Sequence, residues 1–125
     1  MTAVNPYMLT MGRALLSVIF IMAGFNKIMT YAGTQQYMES AGVPGLLLPL
    51  VIIVELGGGL ALLAGFMTRW AALALALFTV LAALLFHFDL ADQGHQIQFM
   101  KNLAIAGGLM SLAVAGPGAY ALGKN

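Results

Sequence analysis

The sequence contains no cysteine and very little charge. Without cysteine the chain has no disulfide, no thiolate metal ligand and no dithiol redox chemistry of its own. Charged residues make up 7% of the chain and hydrophobic residues 62%, whereas an ordinary soluble domain has roughly 25% charged residues. The net charge of +1 leaves no basic surface of the kind that nucleic-acid binding requires. A soluble domain and a nucleic-acid partner are therefore excluded.

The hydrophobic residues are gathered into four runs, each long enough to cross a lipid bilayer as a helix. These runs predict helices at about 9–29, 46–66, 69–88 and 99–116. Short polar segments join them, so the fold class is predicted to be all-α. The predicted architecture is an integral membrane four-helix antiparallel up-and-down bundle. No linker or low-complexity tract interrupts the chain, which predicts one domain over residues 1–125.

The polar segments between the runs differ in length and character. Residues 30–45 mix glycines, amides and tyrosines, which is typical of a loop or of a short interfacial helix with aromatic anchors. Residues 89–98 are predicted to form a polar loop. The sequence from Thr68 to Trp70 predicts a tight interfacial turn, and the Gly-Pro-Gly sequence at 116–118 predicts the end of the last helix.

Positive residues are distributed unequally between the two sides of the predicted bundle. Arg13, Arg69 and Lys124 fall on the side of the termini, and Lys27 and Lys101 fall on the opposite side. The positive-inside rule then predicts that both termini are cytoplasmic.

One face of the first helix carries both of its cations. Arg13, Ser17, Phe20, Gly24 and Lys27 follow one another at intervals of three or four residues, which places them on the same side of a helix. Charges within a bilayer are costly and normally face the interior of a bundle. This face is therefore predicted to point inward.

Glu55 is the one carboxylate predicted to lie deep within the membrane. It falls well inside the second run, about 14 Å from its start at the rise of an α-helix. Arg13 or Lys27 could reach it from the first helix. Either the pair is a structural buried ion pair, or Glu55 is a functional carboxylate in a site or a proton path.

The helix ends opposite the termini bring a second group of polar residues to one level. Its members are a histidine, two ammonium groups and three amides: His87, Lys27, Lys101, Asn26, Gln98 and Asn102. A wet interface also explains such residues, but His87 lies between two phenylalanines, and a histidine can act as an acid, a base or a hydrogen-bond donor. His87 and His95 alone do not predict a metal site. The residues Gly57, Ala61 and Gly65 form a small-residue stripe for packing within the bundle or, alternatively, for homodimerisation.

Short motifs along nearly the whole chain resemble the DoxX family of small bacterial inner-membrane proteins. They are Arg13, the stretch Ala23 to Ile28, Gly42-Val43-Pro44, Glu55 to Gly59, Gly65 to Arg69, His87, Lys101-Asn102 and Gly116-Pro117-Gly118. One departure is Ala121, where the family is expected to have a serine. The resemblance implies a four-helix membrane bundle in the bacterial cytoplasmic membrane.

The resemblance implies a function only in outline, because some relatives are associated with thiosulfate:quinone oxidoreductase, others with oxidative-stress complexes, and many have no assigned activity. The polar positions of the family fall on Arg13, Lys27, Glu55, His87, Lys101 and Asn102. Together with Asn26 these residues are the candidate ligand site, and no catalytic constellation is assigned. Without cysteine, an oxidoreductase role would depend on a quinone cofactor or a redox partner subunit.

Three functional hypotheses follow from these residues. The first is a membrane subunit that binds a quinone-like or other small amphipathic molecule, or a lipid, for an electron-transfer partner. The second is a non-enzymatic assembly or packing protein, with homo-oligomer formation through the glycine stripe. The third is a small carrier, for which four helices provide little room unless the protein oligomerises.

Overall fold

The structure is a computed structural model that describes residues 4–86, 91–118 and 121–123. Its described residues form five helical elements and no strand. They are α1 (Val4–Met29), α2 (Tyr31–Ser40), α3 (Gly45–Ala64), α4 (Thr68–Phe86) and α5 (Gln93–Ala115).

Four of these elements contain spans long and apolar enough to cross a membrane: Tyr7–Met29 in α1, Gly45–Ala64, Thr68–Phe86 and Gln93–Ala115. Their outward faces carry large apolar side chains such as Leu46 and Val114, which are more than four-fifths exposed outside a bilayer. A water-soluble protein would not leave so many such side chains uncovered. The prediction of an all-α, four-helix membrane bundle is confirmed.

The helix boundaries differ from the sequence prediction at two points. Helix α5 begins at Gln93 rather than at residue 99, because the side chain of Asp92 caps it and accepts a hydrogen bond from the Gly94 amide at 3.4 Å. Thr68 to Trp70 lie in the first turn of α4 rather than in a turn between helices. The chain reverses just before them, where Gly65 and Met67 adopt positive φ angles of 75° and 49°.

Helix α3 is not a regular α-helix. It begins with a 3-10 turn at Gly45–Leu47, continues as α-helix over Leu48–Ile52, widens into a π-helical turn at Ile53–Gly57 and returns to α-helix over Gly58–Ala64. A π-turn is rare and is frequent at functional sites. Glu55 lies at the centre of this one.

The helices pack in chain order around a core that includes Phe20, Leu62, Leu75 and Leu109. Helices α4 and α5 pack closely on each other, and so do α1 and α3. Contacts between α1 and α5, which complete the ring, are sparse. The bundle therefore has one weakly packed seam among the described helices.

The C-terminal segment closes the bundle at the end where the chain begins. Helix α5 ends at Ala115, as the Gly-Pro-Gly sequence predicts. The amides of Leu122 and Gly123 then donate hydrogen bonds of 3.0 and 3.1 Å to the carbonyls of Ala64 and Gly65. These bonds satisfy carbonyl groups at the end of α3 that have no partner within the helix.

The small-residue stripe packs only in part within the bundle. Gly65 contacts the C-terminal segment. A Cβ on Gly57, by contrast, would have no atom of another helix within 4 Å. The neighbouring residues Gly58 and Gly59 make the close contacts, against Leu75 and Ile21. The extra residue of the π-turn rotates the turn of α3 that follows it. This rotation explains why the predicted stripe does not face inward as a whole.

Candidate ligand site between the helices

The polar face of α1 points into the bundle. Arg13, Ser17, Phe20 and Gly24 are all buried, and Lys27 is half-buried at the far end. The inward orientation predicted from the spacing of these residues is confirmed. The two cations of this face nevertheless lie at opposite ends of the bundle and have different partners.

Lys27 forms the ion pair with Glu55. The distance between its Nζ atom and Glu55 Oε1 is 2.7 Å, and Glu55 is only 4% exposed. The π-turn of α3 holds the carboxylate toward α1, and the long side chain of Lys27 extends inward from the last turn of its helix. A charge pair in an apolar surrounding interacts far more strongly than one in water. The two side chains therefore tie α1 to α3 within the membrane.

Arg13 has a structural contact at the opposite end. Its Nη1 donates a hydrogen bond of 2.6 Å to the carbonyl of Pro117, in the segment that follows α5. Of the two partners that the sequence offered to Glu55, the structure thus selects Lys27.

A cavity of about 300 Å³ lies beside the ion pair. All four membrane-spanning helices and α2 contribute to its wall. The lining residues are Ile19, Phe20, Ala23, Lys27, Thr34, Tyr37, Met38, Val51, Glu55, Phe78, Thr79, Ala82, Phe86, Gln98, Asn102 and Ile105. Most of them are apolar, and a few polar groups converge among them, which is the usual composition of a small-molecule site.

Helices α4 and α5 supply the remaining polar groups of the cavity. Asn102 donates a hydrogen bond of 3.4 Å from Nδ2 to the carbonyl of Thr79, whose hydroxyl donates in turn to the Leu75 carbonyl at 2.6 Å. Gln98 lies one turn before Asn102 on the same face of α5. The cavity therefore offers an ammonium, a carboxylate and two side-chain amides to a bound molecule.

Helix α2 covers the cavity at the end opposite the chain termini. The side chain of Met38 on this helix is buried. The ring of Tyr37, also on α2, stacks on the ring of Phe86 in α4, with their centroids 5.5 Å apart. The Tyr37 hydroxyl also donates a hydrogen bond of 3.5 Å to the Phe86 carbonyl. The segment that the sequence described as loop or short helix is thus a helix that caps the site.

The predicted site residues divide into three groups. Lys27, Glu55 and Asn102 meet in the cavity. Arg13 lies at the other end of the bundle, and the exposed residues Asn26 and Lys101 do not line the cavity. His87 lies outside the described residues.

The sequence prediction missed the contributions of α2 and α4. Thr34 and Met38 are four residues apart and Tyr37 lies between them, so all three project from one face of α2. That spacing could have indicated an inward face. Thr79 carried no signal of its own, because a lone threonine in an apolar helix commonly bonds to the preceding turn of its own helix.

Comparison with known proteins identifies the family. A sequence model of the DoxX family matches residues 8–88. The chain belongs to the DoxX family. The matched range includes the Lys27–Glu55 pair and the covering helix α2, while Gln98 and Asn102 follow it.

Two relatives of this DoxX-family chain come from Escherichia coli strain K12. Inner membrane protein YqjF is 56% identical over 112 residues, which cover 90% of this chain and 86% of the relative. Inner membrane protein YphA is 35% identical over 130 residues, covering 98% of this chain and 93% of the relative. No solved structure matches the chain. Both relatives are described as inner membrane proteins, which agrees with the four membrane-spanning helices of the structure.

Proposed function

We propose that this DoxX-family protein is a membrane subunit that binds the headgroup of a quinone-like or other small amphipathic molecule for an electron-transfer partner. The observation that supports this proposal most directly is the cavity at the Lys27–Glu55 pair. Its walls are mostly apolar, and its few polar groups converge from all four membrane spans. An ion pair with a purely structural role would be enclosed by packed side chains, whereas the Lys27–Glu55 pair borders a cavity.

The chemistry of the lining favours a neutral headgroup with hydrogen-bond acceptors. Lys27 and the amides of Gln98 and Asn102 are donors, and the charge of Lys27 is already balanced by Glu55. A carbonyl-bearing ring such as a quinone could accept hydrogen bonds without leaving a net charge buried. Because the chain has no cysteine, the electrons in any oxidoreductase role would have to come from a partner, and this protein would be a quinone-linked subunit.

Binding of a benzoquinone with a decyl tail to the protein in lipid nanodiscs tests the proposal. The informative variant is Lys27→Met with Glu55→Gln, which removes both charges together and so leaves none unpaired. Loss of a charge-assisted hydrogen bond should weaken binding by about tenfold or more, equivalent to about 1.4 kcal/mol. The matched control is Lys101→Met, which removes an exposed ammonium near the same end of the bundle outside the cavity and should bind like the parent.

Equal, non-saturable uptake of the quinone by the parent, the double variant and empty nanodiscs would contradict the proposal. Native mass spectrometry of the gently purified protein provides an independent measurement, because a cavity ligand should co-purify with the parent and not with the double variant. A protein neighbour captured reproducibly by crosslinking, in the absence of any ligand, would favour the assembly function instead.

A further inference from the structure

Three of the four seams between the membrane spans have a close contact or a hydrogen bond beside the cavity or within one turn of it. At the α1–α3 seam a Cβ on Gly24 would lie 2.7 Å from Leu56 Cγ, so the two helices touch there. At the α3–α4 seam a Cβ on Gly58 would lie 2.9 Å from Leu75 Cγ. The hydrogen bond from Asn102 to Thr79 joins α4 to α5 beside the cavity.

The fourth seam, between α1 and α5, has the fewest contacts of the four among the described residues. One of them is between Leu16 and Gly108, where a Cβ on Gly108 would lie 3.6 Å from Leu16 Cδ2. The cavity begins about one turn beyond this contact, at Ile19 on α1 and Ile105 on α5. From there it continues to Lys27 and Gln98, about 15 Å along the two helices from the contact.

The residues at this seam remain accessible from the side. Ile19 is 44% exposed, and the side chain of Lys27 is 27% exposed although its ammonium reaches Glu55. Above them, the stacked rings of Tyr37 and Phe86 join α2 to α4 and obstruct a path along the bundle axis. Among the described residues, the α1–α5 seam is therefore the most loosely packed seam beside the cavity.

We infer that the ligand enters sideways from the hydrocarbon core of the bilayer through the α1–α5 seam. Its headgroup moves to the Lys27–Glu55 pair, and its apolar tail stays in the seam between Ile19 and Ile105. This inference rests on the proposed function, since it concerns the route and the ligand class of the same cavity.

The size of the cavity defines that class. A volume of about 300 Å³ is at the lower end of the range for small-molecule pockets, roughly 300–1,000 Å³. A single polar ring fits such a space, but a long tail does not and must remain in contact with lipid. The ligand class is therefore an amphiphile with a ring-sized neutral headgroup and a long alkyl or isoprenoid tail, dissolved in the membrane rather than in water.

The absence of native cysteine allows this route to be closed and reopened. In the variant Ile19→Cys with Ile105→Cys, a bifunctional thiosulfonate reagent bridges the seam, and a reducing agent removes the bridge. We expect the bridge to slow association of the decyl benzoquinone by about tenfold or more, and reduction to restore the rate of the untreated double-cysteine variant. Each single-cysteine variant treated with the same reagent measures the effect of the modification alone.

The outcomes separate the route from the binding function. Association across the bridged seam at the rate of the untreated double-cysteine variant would overturn the lateral route while leaving the proposed function intact. Absence of saturable binding in the untreated parent would overturn both. If the double-cysteine variant does not fold, a photoreactive diazirine on the tail of the quinone replaces it. Adducts on α1 and α5 support the route, and adducts on α2 contradict it.

Discussion

At the scale of single residues, the two basic side chains on the inner face of α1 have separate tasks. Lys27 neutralises Glu55 within the bundle, and Arg13 holds the segment after α5 through the Pro117 carbonyl. Their common face was predictable, because a period of three and four residues defines one side of a helix. Their partners were not, because either side chain is long enough to reach a neighbouring helix.

The Glu55 pair predicts a specific pattern of stability in variants. Glu55→Ala leaves the Lys27 ammonium within the bundle without its counter-ion, which should lower the free energy of unfolding by roughly 3 to 5 kcal/mol. Adding Lys27→Met should recover part of this loss, whereas adding Arg13→Met should not. Thermal unfolding in one detergent, compared through a double-mutant cycle, measures the coupling.

Glu55→Gln distinguishes a structural carboxylate from one that serves the site. A variant that unfolds at the parent temperature but binds the decyl benzoquinone weakly assigns the charge to ligand binding. Loss of stability with partial rescue by Lys27→Met assigns it to the scaffold. A Glu55→Ala protein as stable and as competent in binding as the parent would contradict both assignments.

Replacement of Arg13 is expected to loosen the segment that follows α5. In Arg13→Met the Pro117 carbonyl loses a charged donor in a buried place, a change that typically costs about 1.5 to 3 kcal/mol. The variant should unfold at a lower temperature, and hydrogen exchange at the amides of Leu122 and Gly123 should become faster. Lys101→Met removes an exposed ammonium far from this segment and is the control. Equal exchange in the two variants would show that Arg13 does not hold this segment.

At the scale of helices, α3 carries the features that the sequence predicted least well. Hydropathy locates the span, because twenty apolar residues satisfy the length of a bilayer. The π-turn at Ile53–Gly57 leaves no trace in hydropathy, since it inserts one residue into a turn without changing composition. Its consequence is a rotation of the following residues, so that Gly59 rather than Gly57 faces α1.

Two neighbouring glycines of α3 predict opposite responses to the same substitution. A Cβ on Gly59 would lie 3.1 Å from the backbone nitrogen of Ile21, so Gly59→Ala should force α1 and α3 apart and destabilise the protein by roughly 1 to 3 kcal/mol. At Gly57 the space is open, and alanine should be neutral or stabilise the helix by about 0.5 to 1 kcal/mol. Melting temperatures of the two variants test this pair. Greater destabilisation by Gly57→Ala would indicate a helix contact at that face, as in a homodimer.

Helix α2 shows where sequence reasoning stops for a membrane protein. Its mixture of glycine, amides and tyrosine fits a loop and an interfacial helix equally well, because both lie among the lipid headgroups. Only the arrangement of the other helices reveals that Tyr37 and Met38 cover a cavity. The polar cavity residues named in advance, Lys27, Glu55, Gln98 and Asn102, are those whose charge or amide is costly within a membrane.

At the scale of the whole molecule, the two ends of the bundle differ in construction. The end near the termini is closed by Arg13 and by the backbone bonds from Leu122 and Gly123. The opposite end contains the cavity beneath α2. The half of the bilayer in which the cavity lies therefore follows from the orientation of the chain.

The positive-inside rule predicts cytoplasmic termini and places the cavity end on the outer side. Alkaline phosphatase inserted at Gly42, an exposed residue between α2 and α3 with no neighbour within 4 Å of its Cβ position, should be active. The same enzyme fused after the last residue should be inactive, and a fluorescent protein fused there should mature.

The excess of basic residues on the side of the termini is small, three against two. Replacing Arg69 and Lys124 by glutamine should therefore produce a measurable population with phosphatase activity at the C-terminus. Phosphatase activity at the C-terminus of the parent itself would reverse the orientation, and a ligand would then approach from the cytoplasmic half of the bilayer.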